Sequence, residues 1–459
     1  MNVIVVILDS LRVDHVGCYG SHVQTPNIDR LAQKGTLFAS AFSESLPTLP
    51  TRTTWWTGRV NFPFRRWQPF ELGDLMLAEV LWDRGYTSAL VTDVYHMHKP
   101  MYNCGRGFDT TVFVRGQEYD PWIVDEHIQV DFSRHRLKGN ASDALWRPRF
   151  EQYLRNMSVV KGEEDYFAPR VAKEAIRWLD YVVRTQGRKD RLFLWVDFFD
   201  PHEPWDPPDP WRSMYDLDYS GQEIIDPVAG DVAGYMTPRE VEHTKALYAG
   251  EVTFADKWVG VLLDRVRELG LWDNTLLMLT SDHGEPFGEH GYIRKARPYN
   301  HEQLVHIPWI VRHPDGPGAG RQIDALVQTT DLMPTILDAL HIPWPLKQVY
   351  RAPTRMMFPQ DMPVASQEVD LHGSSLLPLM KGDVDRVRQY AYTGHHGRQW
   401  SIRNHQWVYL LNIDGSGGPE LYHLPSDPEE QHNVVANHPE LADALELELR
   451  RWVARLQAG

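Results

Sequence analysis

The feature that most limits how this chain can fold is a run of six apolar, mostly β-branched residues after Asn2, Val-Ile-Val-Val-Ile-Leu. An apolar run without alternation predicts a strand that is buried on both faces, as in a parallel sheet covered by helices. The run ends at Asp9. Because open α/β sheets bind their ligands at the carboxyl ends of the strands, Asp9 is a candidate binding residue. A turn or helix-cap aspartate is the alternative.

A second run of this kind, Thr-Leu-Leu-Met-Leu-Thr from residue 275, leads into Asp282 and His283. Adjacent side chains on a regular strand point to opposite faces, so both can reach one ion only if the backbone turns there. Gly284 permits such a turn. Carboxylates from Asp9 and Asp282 together with one imidazole predict a divalent-cation site. Unrelated loop carboxylates are the alternative.

The segment Thr48-Leu-Pro-Thr-Arg52 predicts the start of a helix, because proline fits the first helical turn and has no N–H to leave unsatisfied. The free N–H groups and the positive dipole end of such a helix favour a phosphate or sulfate. Thr48 would lie over that anion and add an oxygen to the cation site. Arg52 would reach the same anion from the next turn. A threonine cap on an ordinary helix is the alternative.

A third apolar run, Leu-Phe-Leu-Trp-Val from residue 192, is followed by Asp-Phe-Phe-Asp-Pro-His-Glu-Pro. The histidine, His202, stands between two prolines and therefore in a rigid loop. A histidine at the end of a strand is a candidate proton donor to a leaving group. A structural role is the alternative for a lone histidine.

Taken together, these segments resemble the sulfatase family, within the alkaline phosphatase superfamily, and the resemblance runs along almost the whole chain. The residues that carry it are 5–9, 14–20, 25–32, 35, 48–52, 281–285, 288–291, 295, 331–337, 421–422 and 427–433. It implies an α/β fold with a large, mostly parallel mixed sheet between helices, and a small C-terminal antiparallel sheet with a helix. It also implies a metal-dependent hydrolase of ester bonds.

The resemblance also assigns roles to single residues. It makes Lys295 the active-site lysine and places one divalent metal ion at the helix start. The ligands it implies are Asp9, Ser10, Thr48, Asp282 and His283.

Two departures from the family pattern bear on the chemistry. Most sulfatases have a cysteine or serine where Thr48 stands, and they oxidise it to a formylglycine aldehyde. Threonine is a secondary alcohol and would give a ketone, so Thr48 is expected to stay unmodified. Relatives with a threonine nucleophile act on phosphorus. Ser10 stands where the family usually has an aspartate, so the cation has one fewer carboxylate ligand. His283 stands where calcium-dependent sulfatases often have an asparagine, which favours manganese or zinc, with calcium as the alternative.

Other residues are expected near the substrate. His96 and Lys99 follow a predicted strand at the place where sulfatases have a lysine and a histidine near the ester oxygens; His96 matches best, although the spacing differs. His301 follows Lys295 closely and is expected to line the site. Residues 105–165 are charged, aromatic and weakly periodic, which is typical of a substrate-selecting insertion. A structural insertion on the sheet edge is the alternative.

The pattern of elements predicts two parts of the chain. Strands and helices alternate to about residue 345, with helical periodicity at residues 168–184 and 239–269. Residues 1–345 are therefore expected to form the catalytic domain. A proline-rich linker at 343–363 leads into a small subdomain at 346–459, with a hairpin that turns at Asn404 and His405 and a terminal helix.

Net charge, apolar runs and cysteine content limit the kinds of partner that this chain is expected to bind. The net charge of −15 argues against nucleic acid. No apolar run approaches the length of a membrane span, and no signal peptide precedes the first strand, so a cytoplasmic protein without membrane attachment is expected. Two cysteines provide no disulfide framework. The expected partner is a small anionic ester, and a homo-oligomer is left open.

The motifs leave three candidate functions open. Hydrolysis of a phosphodiester or phosphonate monoester comes first, because of Thr48. Hydrolysis of a sulfate ester is the alternative, because the sequence as a whole is most similar to sulfatases. The third is a non-catalytic metal-binding member of the family.

Overall fold

A computed structural model describes residues 1–295, 299–349, 366–395 and 397–458 of the 459-residue chain. Strands and helices are numbered in chain order. The strands are β1 (Asn2–Leu8), β2 (Thr36–Phe42), β3 (Ser45–Leu46), β4 (Thr87–Thr92), β5 (Thr110–Phe113), β6 (Leu192–Phe198), β7 (Gly230–Asp231), β8 (Thr275–Thr280), β9 (Tyr292–Ile293), β10 (Trp309–Arg312), β11 (Gln322–Gln328), β12 (Leu346–Val349), β13 (Ser366–Val369), β14 (Ala391–His395), β15 (Gln399–Arg403), β16 (Trp407–Asn412) and β17 (Glu420–His423). The helices are α1 (Pro26–Ala32), α2 (Thr48–Thr57), α3 (Leu77–Trp82), α4 (Ala141–Met157), α5 (Phe167–Asp180), α6 (Pro238–Glu268), α7 (Glu302–Val305), α8 (Leu332–Ala339), α9 (Leu377–Lys381) and α10 (Pro439–Ala458).

The central sheet has eight strands in the order β11-β2-β10-β8-β1-β6-β4-β5. Its pairs are parallel except where β10 lies antiparallel to β2 and β8. Alternate residues of β1 enter different cores: Ile4 packs with residues of α5 and α6, and Val5 packs with residues of α2 and α8. Helices therefore cover both faces, and the predicted fold class is confirmed.

The order of the strands positions the candidate site. β1 lies between β8 and β6, all parallel, and Ile7 is level with both Thr280 and Asp197. The Asp9 N–H donates to the Phe198 carbonyl at 2.9 Å, so the chain leaves β1 beside the end of β6. The carboxyl ends of three adjacent strands thus deliver polar residues to one edge of the sheet.

A second sheet, β17-β16-β15-β14-β3, contains the predicted C-terminal hairpin as β15 and β16. Helix α10 packs on it in a core that includes Leu445 and Leu449. The short strand β3 also joins this sheet, parallel to β14. It immediately precedes α2, so the second sheet is built onto the segment that begins the Thr48 helix. The domain boundary at 345/346 stays a prediction, and residues 350–363 of the expected linker lie outside the described residues.

Residues 105–165 contain β5, at the edge of the central sheet, and helix α4. The predicted helices at 168–184 and 239–269 correspond to α5, which ends in a wider π-helical turn, and α6. In the described part of the chain, no helix combines the length and apolarity needed to cross a bilayer. The longest helix, α6, instead buries Leu247 and Val259 while it exposes Glu242 and Asp264.

Candidate active site

The structure brings Asp9, Asp282 and His283 together at the ends of β1 and β8. One ligand atom from each of these fully buried residues lies within 4.8 Å of the others. Ser10 makes the turn after β1, with a positive φ of 63° that few non-glycine residues adopt. Its N–H donates to Asp282 at 3.0 Å and its hydroxyl donates to Asp9 at 3.1 Å. These bonds hold the two carboxylates in place.

The orientation of His283 follows from its hydrogen bonds. Nδ1 lies 2.8 Å from the Gly284 carbonyl, an acceptor only, so Nδ1 carries the proton. The lone pair on Nε2 then faces Thr48 Oγ1 at 3.5 Å, Asp282 Oδ2 at 3.5 Å and Asp9 Oδ1 at 4.0 Å. Burial lowers the pKa of His283 to about 4. The imidazole is therefore neutral, which is the form that binds metals.

The turn after Asp282 depends on Gly284 for a reason that the sequence did not reveal. A Cβ on Gly284 would lie 2.1 Å from the Gln303 carbonyl oxygen. The Gly284 N–H also donates to the Leu304 carbonyl at 2.8 Å. The glycine is thus required by the close approach of α7 and not by a left-handed backbone.

Arg52 departs from its predicted position. Its guanidinium is fully buried and donates to Asp197 at 2.9 and 2.6 Å, to Asp9 at 3.0 Å and to Asp282 at 2.7 Å. Its remaining N–H donates to the Thr48 carbonyl at 3.1 Å. All five N–H groups of the guanidinium are therefore occupied. Arg52 orients the carboxylates in this structure and has no donor left for a substrate oxygen.

Asp197 is a site residue that the sequence did not reveal. It is the sixth residue of β6 and holds Arg52 through both carboxylate oxygens. The sequence feature that could have identified Asp197 is the same as for Asp9, a carboxylate at the end of a buried apolar run. Trp195 supports it with an indole N–H at 3.3 Å.

The residues present fit a bound divalent cation. Asp9, Asp197 and Asp282 are all buried, and Arg52 is the cation they share. Burial and the charge of Asp282 raise the pKa of Asp9 well above its usual range. Excess buried negative charge beside a neutral imidazole nitrogen is the donor set expected for such an ion.

Thr48 is the first residue of α2, as predicted, and the whole helix is buried. Trp55 and Trp56 anchor it to Trp195, with ring centroids 5.8 and 5.3 Å apart. Glu44 accepts from the Thr54 hydroxyl at 2.6 Å and from two backbone N–H groups of the chain that leaves the helix. A packed and hydrogen-bonded helix therefore fixes the Thr48 hydroxyl beside His283.

Lys295 lies in a second group of charges. Its ammonium donates to Glu203 at 2.9 Å and to Glu285 at 2.7 Å, and Arg294 also binds Glu203. Burial alone would lower the pKa of Lys295, but the two carboxylates raise it above its usual value. Lys295 is therefore a fixed positive charge. Glu285 lies in the motif at 281–285 and Glu203 follows His202, but the sequence assigned no role to either of them or to Arg294.

His202 is buried and stacks on Phe199 with ring centroids 3.9 Å apart. Its Nδ1 lies 2.7 Å from the Glu203 carbonyl oxygen and must carry the proton. Burial lowers the pKa of His202 to about 3, so the ring is neutral at neutral pH. In this state Nε2 carries a lone pair and has no proton to give, whereas the sequence predicted a proton donor.

The remaining predicted residues lie in different places. His96 pairs with Glu118 at 3.1 Å, and Lys99 lies over the ring of Tyr95 at 4.6 Å. His301 bonds to Glu430 at 2.8 Å, near the second sheet. In the described part of the chain, no hydrogen bond or ion pair joins His301 to Asp9, Asp282 or His283. Its predicted role with the substrate stays a prediction.

The pairing of Lys295 with Glu203 leads to a testable prediction. Glu203→Gln is expected to lower kcat/KM by about 10²-fold, because Lys295 loses one of the two carboxylates that hold its ammonium in position. Glu203 raises the pKa of Lys295, so its removal lowers that pKa and moves the alkaline limb of the rate profile to lower pH. A pH profile up to about pH 11, near the ordinary lysine pKa, measures this shift.

Asp226→Asn is the matched control for Glu203→Gln. Asp226 binds Arg294 at 2.6 Å but has no hydrogen bond to Lys295. The control is expected to lower the melting temperature and to move the alkaline limb less than Glu203→Gln does, because the Asp226 charge acts on Lys295 without a hydrogen bond. Equal alkaline limbs in both variants would contradict the role given to Glu203.

The fold and the sequence similarity together define the class of protein, a hydrolase of ester bonds. The chain belongs to the sulfatase family, whose sequence model, described as Sulfatase, matches residues 1–342. Members of this family depend on a metal ion, and the Asp9, Asp282 and His283 cluster is the corresponding candidate site.

Known proteins agree with this assignment. An arylsulfatase of Clostridium perfringens is 24% identical over 95% of this chain and 90% of its own length. The crystal structure of a phosphonate monoester hydrolase of Agrobacterium radiobacter superposes with a TM-score of 0.74 at 21% identity, covering 98% of this chain and 96% of that one. A protein solved with its substrate D-glucosamine-2-N,6-O-disulfate gives 0.70 at 19% identity, covering 100% and 98%.

Proposed function

We propose that this protein is a metal-dependent hydrolase in which Thr48 attacks the phosphorus of a phosphodiester or phosphonate monoester. The observation that carries the proposal is the Thr48 hydroxyl, fixed at the tip of α2 and 3.5 Å from Nε2 of His283. Because a threonine cannot yield the family's aldehyde, the hydroxyl itself is the nucleophile.

The residues that would hold the metal are Asp9, Asp282, His283, Thr48 and Ser10. The imidazole nitrogen favours manganese or zinc, and calcium is the alternative. When bound, such an ion lowers the pKa of a neighbouring hydroxyl and withdraws electrons from a substrate oxygen.

The chain's own residues supply the positions and charges for the first step. The Thr48 hydroxyl loses its proton and its oxygen bonds to phosphorus, while the bond to the leaving oxygen breaks and that oxygen takes up a proton. This leaves an alcohol and a threonine esterified to phosphorus that still bears the other substituent of the substrate, an alkoxy group for a phosphodiester or a carbon for a phosphonate. Lys295, held by Glu203 and Glu285, stabilises negative charge that develops on the ester oxygens. Arg52 acts indirectly, since it holds the carboxylates of Asp9 and Asp282.

The second step must free Thr48. A water attacks phosphorus as the bond to the Thr48 oxygen breaks; a base accepts the proton of the water, and the Thr48 oxygen takes up a proton. His202 is the candidate for that role, because its proton is on Nδ1 and its Nε2 carries a lone pair. Burial lowers its pKa to about 3, so it can act as the base only when the negative charge of the bound ester raises that pKa. His96, Lys99 and His301 remain proposed residues of the substrate side, and the expected partner is a small anionic ester.

Sulfate-ester hydrolysis is the second candidate function. The arylsulfatase of Clostridium perfringens, similar over 95% of this chain, favours it. A non-catalytic metal-binding protein is the third candidate, and the retained Lys295, His202 and Asp282 argue against it. Association of several copies stays a prediction.

The test compares aryl phosphonate, phosphodiester and sulfate esters of one phenol, with manganese or zinc added. The expected result is that a phosphorus ester has the highest kcat/KM. Faster turnover of the sulfate ester would establish the second candidate instead. Cation binding without turnover of any ester would establish the third.

A further inference from the structure

The leaving oxygen of the proposed first step needs a proton, and neither His202 nor Lys295 is suited to supply it. His202 carries its one proton on Nδ1, where the Glu203 carbonyl oxygen accepts it at 2.7 Å. The Lys295 ammonium is held between the carboxylates of Glu203 and Glu285, at 2.9 and 2.7 Å, and acts as a fixed positive charge. The reaction therefore requires a further acid within reach of the ester.

His96 is brought to the same edge of the sheet by a neighbouring strand. β4 is parallel to β6, and its last residue, Thr92, is level with Asp197. The chain then forms a short helical turn, Tyr95–His98. Because the carboxyl ends of adjacent parallel strands meet at one edge, this turn lies on the β4 side of the site formed at the ends of β1, β6 and β8.

A carboxylate of the insertion at 105–165 pairs with His96. Glu118 Oε2 lies 3.1 Å from His96 Nε2, and the two side chains are only 11% and 15% exposed. Burial alone would raise the pKa of Glu118, but the charge of His96 lowers it below its ordinary value, so this carboxyl group is ionised. Glu118 Oε2 accepts no well-aligned hydrogen bond in the described part of the chain. Its buried charge is therefore offset by charge, which favours the imidazolium form of the partner ring.

The surroundings of Glu118 favour a positive charge on His96 as well. Glu118 lines a small cleft with Glu203, which also binds Lys295. The cleft carries three carboxylates and two guanidinium groups, those of Glu118, Glu203, Asp226, Arg149 and Arg294. It has room for about one water molecule, so a substrate group does not enter it. An imidazolium at His96 balances the third carboxylate next to the charges proposed to act on the ester.

A purely structural ion pair, which only fastens the insertion to the loop after β4, is the competing explanation. The rings of Trp67, Tyr95 and Tyr119 lie 5.0, 5.8 and 5.9 Å from the His96 ring and fix its orientation in either case. The two explanations differ in one respect. An acid acts on the leaving oxygen alone, whereas loss of a structural pair disturbs every substrate alike.

We propose that His96 is the general acid of the first step and that Glu118 is the residue that positions it. The imidazolium, paired through Nε2 with Glu118, gives its Nδ1 proton to the leaving oxygen as the bond between phosphorus and that oxygen breaks. The alcohol departs with this proton, and the neutral ring of His96, which is partly exposed, regains one from solvent. This inference rests on the proposed function, because it assigns a proton of the same reaction.

The test compares a phenyl ester with a 4-nitrophenyl ester, both made from the acid group that the enzyme turns over fastest. Phenol is the poorer leaving group and depends more on a donated proton, and kcat/KM covers the steps up to its departure. His96→Gln is expected to lower kcat/KM for the phenyl ester by about 10²-fold, the scale of general acid catalysis, and to leave the 4-nitrophenyl ester almost unchanged. Glu118→Gln is expected to act in the same direction by about tenfold, as for the loss of a charged partner.

Asp216→Asn is the matched control for Glu118→Gln. Asp216 forms a similar pair with His243, at 2.9 Å, and His243 also contacts an aromatic ring, that of Tyr219. This pair lies at α6, outside the lining of the Glu203 cleft. The control is expected to leave the ratio of kcat/KM for the two esters unchanged. Equal losses on both esters in His96→Gln and Glu118→Gln would establish the structural pair and overturn the acid role.

Magnetic resonance of the histidine rings separates failure of this inference from failure of the proposed function. The His96 signal is identified by its loss in His96→Gln and is followed against pH without any ester. In Glu118→Gln it is expected to titrate at lower pH than in the unchanged protein, because the carboxylate that stabilises the imidazolium is gone. Equal titration in both proteins overturns the role of Glu118 whatever the assays show. Absence of turnover in the unchanged protein overturns the proposed function, and the acid role with it.

Discussion

Thr48→Ala is expected to lower kcat/KM by about 10³-fold or more on every ester that the enzyme hydrolyses, the scale on which loss of a nucleophile acts. The hydroxyl has no substitute nearby, because the Ser10 hydroxyl donates to Asp9 and the Thr51 hydroxyl is bonded to the Ser45 carbonyl. The measurement is steady-state turnover with a saturating divalent cation.

The control for this variant is Thr48→Ser, which keeps the hydroxyl and is expected to retain activity. Alanine removes no hydrogen bond that α2 needs, since Thr48 itself caps nothing. The melting temperature of Thr48→Ala is therefore expected to stay close to that of the unchanged protein. Full activity of Thr48→Ala would exclude Thr48 as the nucleophile.

Mass spectrometry identifies both the nucleophile and the element that it attacks. After brief exposure to substrate, the peptide that contains Thr48 is expected to gain the phosphoryl group with its remaining ester substituent from a phosphodiester, or the phosphonyl group from a phosphonate monoester. A gain of a sulfuryl group would instead support the sulfate-ester alternative. An adduct on another residue would contradict the proposed mechanism.

The second large effect on activity is expected when the metal is removed. Chelation is expected to abolish activity, and manganese or zinc to restore it, because the buried carboxylates around Asp9 require a counter-charge. An ion that binds only the folded state adds about 2.7 kcal/mol at 100 times its Kd, which corresponds to a rise of roughly 3 °C in melting temperature for a chain of this length. His283→Ala is expected to lose this rise together with at least about 10²-fold in activity.

Asp256→Asn serves as the control for metal removal. Asp256 is also a buried carboxylate, but it accepts from the backbone N–H groups of Asn27 and Ile28 at the start of α1. This variant is expected to melt at a lower temperature with and without metal, and to keep the rise that the metal produces. If His283→Ala behaved in the same way, His283 would not be a metal ligand.

Part of the fold followed directly from the sequence. The unbroken apolar run of β1 predicted burial on both faces, and alternate residues such as Ile4 and Val5 do enter two different cores. The proline after Thr48 predicted the start of α2. These features are local, since burial pattern and helix start depend on residues that are neighbours in the chain.

The site was only partly predictable, because it depends on residues that are far apart in the chain. Asp9, Asp282 and His283 each follow an apolar run, and parallel strands bring such ends to one edge. Asp197 has the same signal, but its role depends on β6 being the neighbour of β1, which the sequence of either strand does not specify.

The sequence by itself determined which residues end buried strands, where the nucleophile helix begins and which family the motifs resemble. Tertiary structure alone decided what each side chain contacts. In the folded chain every N–H group of Arg52 has an acceptor, the proton of His202 is on Nδ1, and His301 is hydrogen-bonded to Glu430. The reason is physical: burial patterns are fixed by neighbouring residues, whereas the charge and proton position of a buried group depend on partners that only the packed chain brings within a few ångströms.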